Sequence, residues 1–327
     1  MRVGVVGAGL SGLLCAQRLS ELVPGGLRIS VLEWGRGPGG RTARRRVTTQ
    51  EGGELSYDHA APYFTATTDA FRELLARWQE AGAAAPWPGA GTDVWVGTAS
   101  SNAIARHVVT QLEGAGASML FGNHVLAAKH DGAVWRVRTQ QRATDTTSEL
   151  IFDALVLSDK LLVLPNTYSV LAPPDVGPLA LPSSLTSTAA VVLLIALQPS
   201  AASTLSSSGL PPATTVVDCS KNHPQQQQQQ QQHGGGTTAA PILSRVIHES
   251  AKPGRRTDTT YDQWVVHSTA EYAELHLVGE ALDNEAAVLA EMQEAFLAHT
   301  SLLLGGGSAD TSADAGAELR QAVAHAR

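Results

Sequence analysis

The chain has 327 residues, 43% of them hydrophobic and 16% charged, with a formal net charge of −7. That is enough apolar material for one large or two medium domains, and it excludes disorder throughout. The acidic balance supplies no basic stripe to follow a phosphate backbone, so nucleic acid is not the expected partner. The longest apolar run, residues 189–197, falls far short of the roughly 20 residues of a membrane span and reads as a buried strand.

Residues 3–6 form a short apolar strand ending at Gly7, and residues 10–22 carry Leu10, Leu13, Leu14 and Leu19 at helical spacing. Pro24, Gly25 and Gly26 stop that helix. A second strand follows over residues 27–32 through Leu27, Ile29 and Val31, completing a βαβ unit. Helices are expected over 71–80, from Phe71, Leu74, Leu75 and Trp78, and over 102–112, from Ile104, His107, Val108 and Leu112. Short strands are expected at 118–121, 125–128, 134–138 and 151–157, the middle two forming a hairpin around Asp131-Gly132.

Residues 199–241 are rich in Ser, Pro and Thr and contain an unbroken glutamine tract from Gln225 to Gln232. This composition reads as a disordered surface insertion that buries no core. Strands resume at 242–248 and 263–267, and a helix is expected over 285–304 through Val288, Leu289, Met292, Phe296 and Leu297. The tail, 305–327, reads as small and polar, with a short helical piece from about Ala317 and no strand after it.

Cys15 and Cys219 form no CxxC pair, and the eleven histidines are scattered singly, so neither a disulfide framework nor a metal site is expected. The sequence enters its first strand directly from Met1 without a charged-then-apolar leader, from which a cytoplasmic location is expected.

Gly7-Ala8-Gly9-Leu10-Ser11-Gly12 matches GxGxxG directly between a strand and a helix. In that context Gly7 makes the turn, Gly9 admits a pyrophosphate to the backbone, and Gly12 lets helix and strand pack closely. The N–H groups and positive dipole end of the helix would then stabilise the phosphates. Glu33 ends the second strand, where a carboxylate can accept hydrogen bonds from a ribose diol and disfavours a 2′-phosphate. A second glycine-rich loop, Arg36-Gly37-Pro38-Gly39-Gly40-Arg41, brings backbone close to a phosphate through Gly39 and Gly40 and a cation through Arg41.

The two glycine loops and Glu33, followed by Tyr57-Asp58-His59-Ala60-Ala61-Pro62-Tyr63-Phe64-Thr65-Ala66, resemble the renalase-like FAD-dependent oxidoreductases of the flavin-containing amine oxidase superfamily. Counterparts in the same order are Trp95-Val96-Gly97-Thr98, Phe152-Asp153-Ala154-Leu155-Val156-Leu157 and Trp264-Val265-Val266-His267. The likeness covers most of residues 1–304 outside the polar insertion. It implies an α/β fold in which a Rossmann-like FAD-binding domain (1–60 and about 100–160) carries an inserted mixed α+β substrate domain (about 61–99 and 161–304). It also implies FAD as cofactor, touched by Ser11, Glu33, Arg41, Ala60, Ala61 and the backbone of Val125. Ala60 and Pro62 stand where the family often has Gly and Gln, which removes an amide from the flavin edge and stiffens the loop.

The activity implied is hydride transfer from a small-molecule substrate, an amine or a dihydronicotinamide type, to flavin and then to oxygen, giving hydrogen peroxide. Such chemistry needs no side-chain nucleophile. Asp58 and His59 read either as an acid–base pair or, preferably, as loop-fixing hydrogen bonders. Tyr63, Phe64 and Trp264 read as core or as an aromatic wall for a flat ring. Members of the family close the FAD site with a C-terminal Gly-Asp stretch and helix that nothing after Gly307 resembles. The other expectation, from a different class, is therefore a truncated, catalytically inactive nucleotide-binding or association protein.

Overall fold

The computed structural model describes residues 1–49, 53–158, 169–171, 188–197, 216–218, 241–255, 261–279, 281–304 and 323–326. Two compact units divide the chain, one made of residues 1–43 and 101–186, the other of 44–100 and 187–327.

The first unit opens with β1 (Arg2–Val6), α1 (Leu10–Leu22) and β2 (Arg28–Glu33). The chain then builds part of the second unit: β3 (Arg45–Thr48), β4 (Glu54–Tyr57), β5 (Phe64–Thr65), α2 (Asp69–Glu80), β6 (Ala84–Pro86) and β7 (Val94–Gly97). It returns to the first for α3 (Asn102–Gly114), β8 (Ser118–Phe121), β9 (Asn123–His130), β10 (Trp135–Gln141), β11 (Thr147–Phe152), β12 (Ala154–Leu157) and β13 (Ser169–Leu171). The second unit finishes with β14 (Val192–Leu197), β15 (Val216–Asp218), β16 (Leu243–His248), β17 (Asp262–Ser268), α4 (Ala270–His276), β18 (Leu277–Val278), β19 (Ala281–Leu282), α5 (Glu285–Leu304) and β20 (Val323–Ala326).

In the first unit a parallel sheet of order β12-β1-β2-β8 forms the middle layer. Its strands alternate. Val3, Val5, Ile29 and Val31 face α1 and α3, packing with Leu13, Ala16, Ala105, Val108 and Leu112. Val6 and Leu32 point the other way, into a cluster with Val125, Ala128, Val137 and Phe152 of the antiparallel strands β9 to β11. Apolar residues on both faces are what a covered parallel sheet requires. A parallel sheet with crossover helices is the Rossmann-like α/β arrangement expected from the sequence, and its C-terminal edge brings Gly7, Glu33, Gly122 and Ser158 to one side.

In the second unit a sheet of order β15-β16-β17-β14-β20 is covered on one face by Tyr272, Val288, Met292 and Phe296 of α4 and α5. Leu55, Tyr57, Trp87, Val94 and Val96 pack on its other face against Leu194, Ala196, Ile247 and Val265.

The helix expected over 285–304 forms with those bounds, and of the apolar run at 189–197 the part Val192–Leu197 forms β14, while Ala189 and Ala190 are exposed. The hairpin at Asp131-Gly132 forms between β9 and β10. Three expectations need correction. The single strand at 151–157 is two strands in two sheets, because Asp153 turns the chain: its carboxylate accepts from Arg2 N at 2.7 Å and its N–H donates to Arg2 O at 2.9 Å. The tail does carry a strand, since Val323–Ala326 pairs antiparallel with β14. Within the polar insertion, Val216–Asp218 pairs with β16, whose edge offers unpaired backbone groups. The glutamine tract and the helical piece from about Ala317 lie outside the described residues.

Candidate dinucleotide site

The first glycine loop is shaped by two close approaches. Gly7 adopts φ +104°, open only to glycine at low cost, and its N–H donates to Leu32 O at 2.8 Å. Gly12 has no room for a side chain: a Cβ there would sit 2.1 Å from Gly7 O and 2.7 Å from Ser158 Oγ. Ser158 follows β12 and donates through Oγ to Val6 O at 2.8 Å and Gly7 O at 3.2 Å, pinning the turn from the neighbouring strand.

Gly9 differs. It is the N-cap of α1 with an ordinary φ of −69°, no side chain caps the helix, and a Cβ at Gly9 would meet nothing within 4 Å. The first turn of α1 holds no acidic side chain. Its orphan N–H groups and positive dipole end therefore face space that suits an anion. Ser11, in that turn, is exposed.

The second loop lies directly against the first. Gly39 N donates to Ala8 O at 2.8 Å and Gly39 bridges Gly9 in parallel fashion. Gly39 and Gly40 take φ +131° and +53°, leading into a single 3-10 turn, Gly40–Thr42. Thr42 Oγ1 donates to Gly39 O at 2.8 Å, and the amide of Asn102, at the start of α3, donates to Pro38 O. A Cβ on Gly39 would meet that amide at 2.5 Å, so this position too is closed to other residues. Arg41 is exposed, and no described residue hydrogen-bonds or ion-pairs with its guanidinium.

Glu33 sits between the two loops. Its Oε2 accepts from Ala8 N at 2.8 Å and its Oε1 from Gly35 N at 2.6 Å, so the carboxylate braces both turns while each oxygen keeps a lone pair for a further donor. Val125 is 4% exposed, its side chain in the core under β2. The register of β9 against β10 shifts beside it, leaving Leu126 with no residue opposite.

The structure thus gathers Gly7, Gly9, Ser11, Gly12, Glu33, Gly39, Gly40 and Arg41 at one edge of the parallel sheet, with Val125 in the same unit. Ala60 and Ala61 belong to the second unit. Asn102, Ser158 and the pair Trp34 and His124 are not evident from sequence motifs. Asn102 and Ser158 are isolated polar residues at element ends, where only tertiary contact reveals a role. A cleft of about 510 Å³ lined by Arg2, Arg28, Ser30, Ser118, Leu150 and Phe152 lies at the opposite, N-terminal end of the strands. Ligands of open α/β sheets bind outside the carboxyl ends, so the glycine loops outrank it as the site.

In the second unit, Asp58 is 2% exposed and locked in a cluster of four buried charges. It pairs with Arg255 and lies 3.4 Å from Lys252 Nζ; Glu249 pairs with the same two cations at 2.9 and 2.5 Å. Arg255 also donates to Gly97 O at 3.1 Å. Two carboxylates against two cations leave no net charge buried, and this is the loop-fixing role rather than a free acid. The carbonyl of His59 accepts from His267 Nε2 at 2.7 Å, and burial pushes both imidazoles below the ordinary histidine pKa. Trp264 packs with Phe296 on the helical face of the sheet, whereas Tyr63 packs in the cluster on its other face. Trp264 is therefore core and does not join Tyr63 in an aromatic wall.

Residues 5–78 match the family model of an NAD(P)-binding Rossmann-like domain. No curated protein matches the chain by sequence. Among solved structures, a flavoprotein/dehydrogenase from Cytophaga hutchinsonii is 13% identical, with a TM-score of 0.47, over 91% of this chain and 61% of its own. The p-nitrophenol 4-monooxygenase of Pseudomonas putida DLL-E4 is 15% identical, with a TM-score of 0.49, over 90% of this chain and 61% of its own. An aromatic hydroxylase from angucycline biosynthesis is 15% identical, with a TM-score of 0.45, over 89% of this chain and 48% of its own. The chain thus spans about half to three-fifths of the length of these structures. No described helix is long and apolar enough to cross a membrane. The sequence motif, the parallel sheet and the matched model agree on an α/β protein with a Rossmann-like dinucleotide-binding domain.

Proposed function

We propose that this chain is an FAD-dependent oxidoreductase that takes a hydride from a small-molecule substrate, an amine or a dihydronicotinamide type. The observation that carries the reading is the open space over Gly9 at the uncapped N-terminus of α1, walled by the second glycine loop. The residues fit a dinucleotide. Backbone N–H groups at Gly9 and Ser11 and the cation of Arg41 would hold the pyrophosphate, and the free lone pairs of Glu33 would take the ribose hydroxyls. Flavin, when bound, supplies the redox chemistry, with oxygen as the final acceptor and hydrogen peroxide as product. The preference for FAD over a nicotinamide dinucleotide rests on the second loop and the segment from Asp58 to Ala66, which resemble the renalase-like oxidoreductases. Ala60, Ala61 and Val125 are proposed cofactor contacts on the same ground.

The test is oxygen uptake by the FAD-loaded full chain, screened against amines and against dihydronicotinamide isomers. Substrate-dependent uptake with stoichiometric peroxide supports the proposal. Bound FAD whose visible absorbance none of these substrates bleaches under anaerobic conditions would favour a nucleotide-binding protein without turnover.

A further inference from the structure

Trp34 follows Glu33 directly and is 55% exposed, although burying an indole is among the larger apolar gains available to a fold. Its ring lies on the imidazole of His124 with centroids 4.9 Å apart and planes 20° from parallel. The two loops that carry these rings are tied together. Gly122 N donates to Gly35 O at 2.9 Å, and Gly35 N donates to Glu33 Oε1 at 2.6 Å. Gly122 itself takes φ +70°, which directs the chain from β8 into β9 and sets His124 under the indole. Packing does not account for this exposed ring, since one face is backed by His124 and more than half of its surface meets solvent.

We infer that Trp34, held in place by His124, is the stacking platform for the purine of an adenosine-diphosphate-containing ligand. The inference rests on the dinucleotide reading above and adds a residue that the glycine loops and Glu33 do not specify. A ribose held by Glu33 carries its base on the side away from the phosphates, and Trp34 is the next residue in the chain on that edge. The backing imidazole fixes the orientation of the indole, so little rotamer freedom is lost when a base stacks on its open face. FAD and NAD share the adenosine diphosphate moiety, and the platform recognises that shared part.

Calorimetric titration of the full chain with ADP, with inorganic pyrophosphate and with FAD or NAD as competitors tests this. Trp34→Ala is expected to weaken ADP binding by roughly tenfold or more, the usual worth of one base–aromatic stack. Trp34→Phe should stay within roughly threefold of wild type, and pyrophosphate affinity should not change, since pyrophosphate has no base. Displacement of ADP by FAD but not NAD, or the reverse, identifies the source of the moiety. Equal ADP affinity in wild type and Trp34→Ala overturns the platform while leaving the dinucleotide site intact. A wild-type chain that binds no ADP overturns both.

Discussion

Gly9 and Gly12 stand one turn apart yet answer to different constraints, and substitution separates them. A methyl at Gly12 would meet the backbone carbonyl of Gly7 at 2.1 Å, so Gly12→Ala should displace α1 from β1 and lower both stability and ligand uptake. A methyl at Gly9 meets nothing, and its φ of −69° suits any residue. Gly9→Ala should therefore keep stability within about 1 kcal/mol while weakening binding of ADP or FAD, because it fills the proposed phosphate space. Chemical denaturation and a ligand titration on the same two variants would check this; equal losses in both properties for both variants would count against it. Glu33 adds a complementary case. Its carboxylate serves Ala8 N and Gly35 N before any ribose arrives, so Glu33→Ala should cost about 1–3 kcal/mol even without ligand, from backbone donors left unpaired. The glycine spacing and the acid were legible in the sequence because their roles are local. That Glu33 braces both loops was not, because it depends on how β2 lies beside the turn.

At the level of elements, periodicity located α1, α3 and α5 well, since each buries one apolar stripe. It failed where tertiary pairing decides. The strand at 151–157 reads as one apolar run, but Asp153 and Arg2 pair at 2.6 Å and redirect the chain between two sheets. β5, β6 and α4 are too short to show a period. The cluster of Asp58, Glu249, Lys252 and Arg255 was equally invisible, as Asp58 lies almost 200 residues before Lys252 and Arg255. It predicts that Asp58→Ala destabilises by about 3–5 kcal/mol, since two buried cations lose a partner. Urea unfolding would show this. Unchanged stability with lost turnover would instead mark Asp58 as an acid–base residue.

Across the whole molecule, burial holds His59, His267 and His299 below the ordinary histidine pKa of 6.5. Between the folded and unfolded values the unfolded chain binds more protons, so these groups favour the native state fully above pH 6.5. That contribution is lost as pH falls below 6.5 and through the folded values. Denaturation midpoints should fall from pH 7.5 to pH 5.5, and by less in His267→Gln, which keeps a donor for the His59 carbonyl; identical slopes would contradict the assignment. The glycine loops, Glu33 and the uncapped helix α1 make up the proposed flavin dinucleotide site. Its most direct measurement is the visible absorption spectrum of the full chain after incubation with FAD and removal of free ligand. Retained flavin absorbance, abolished by Gly12→Ala and reduced by Gly9→Ala, is the predicted result. A folded wild-type chain that emerges colourless would contradict it.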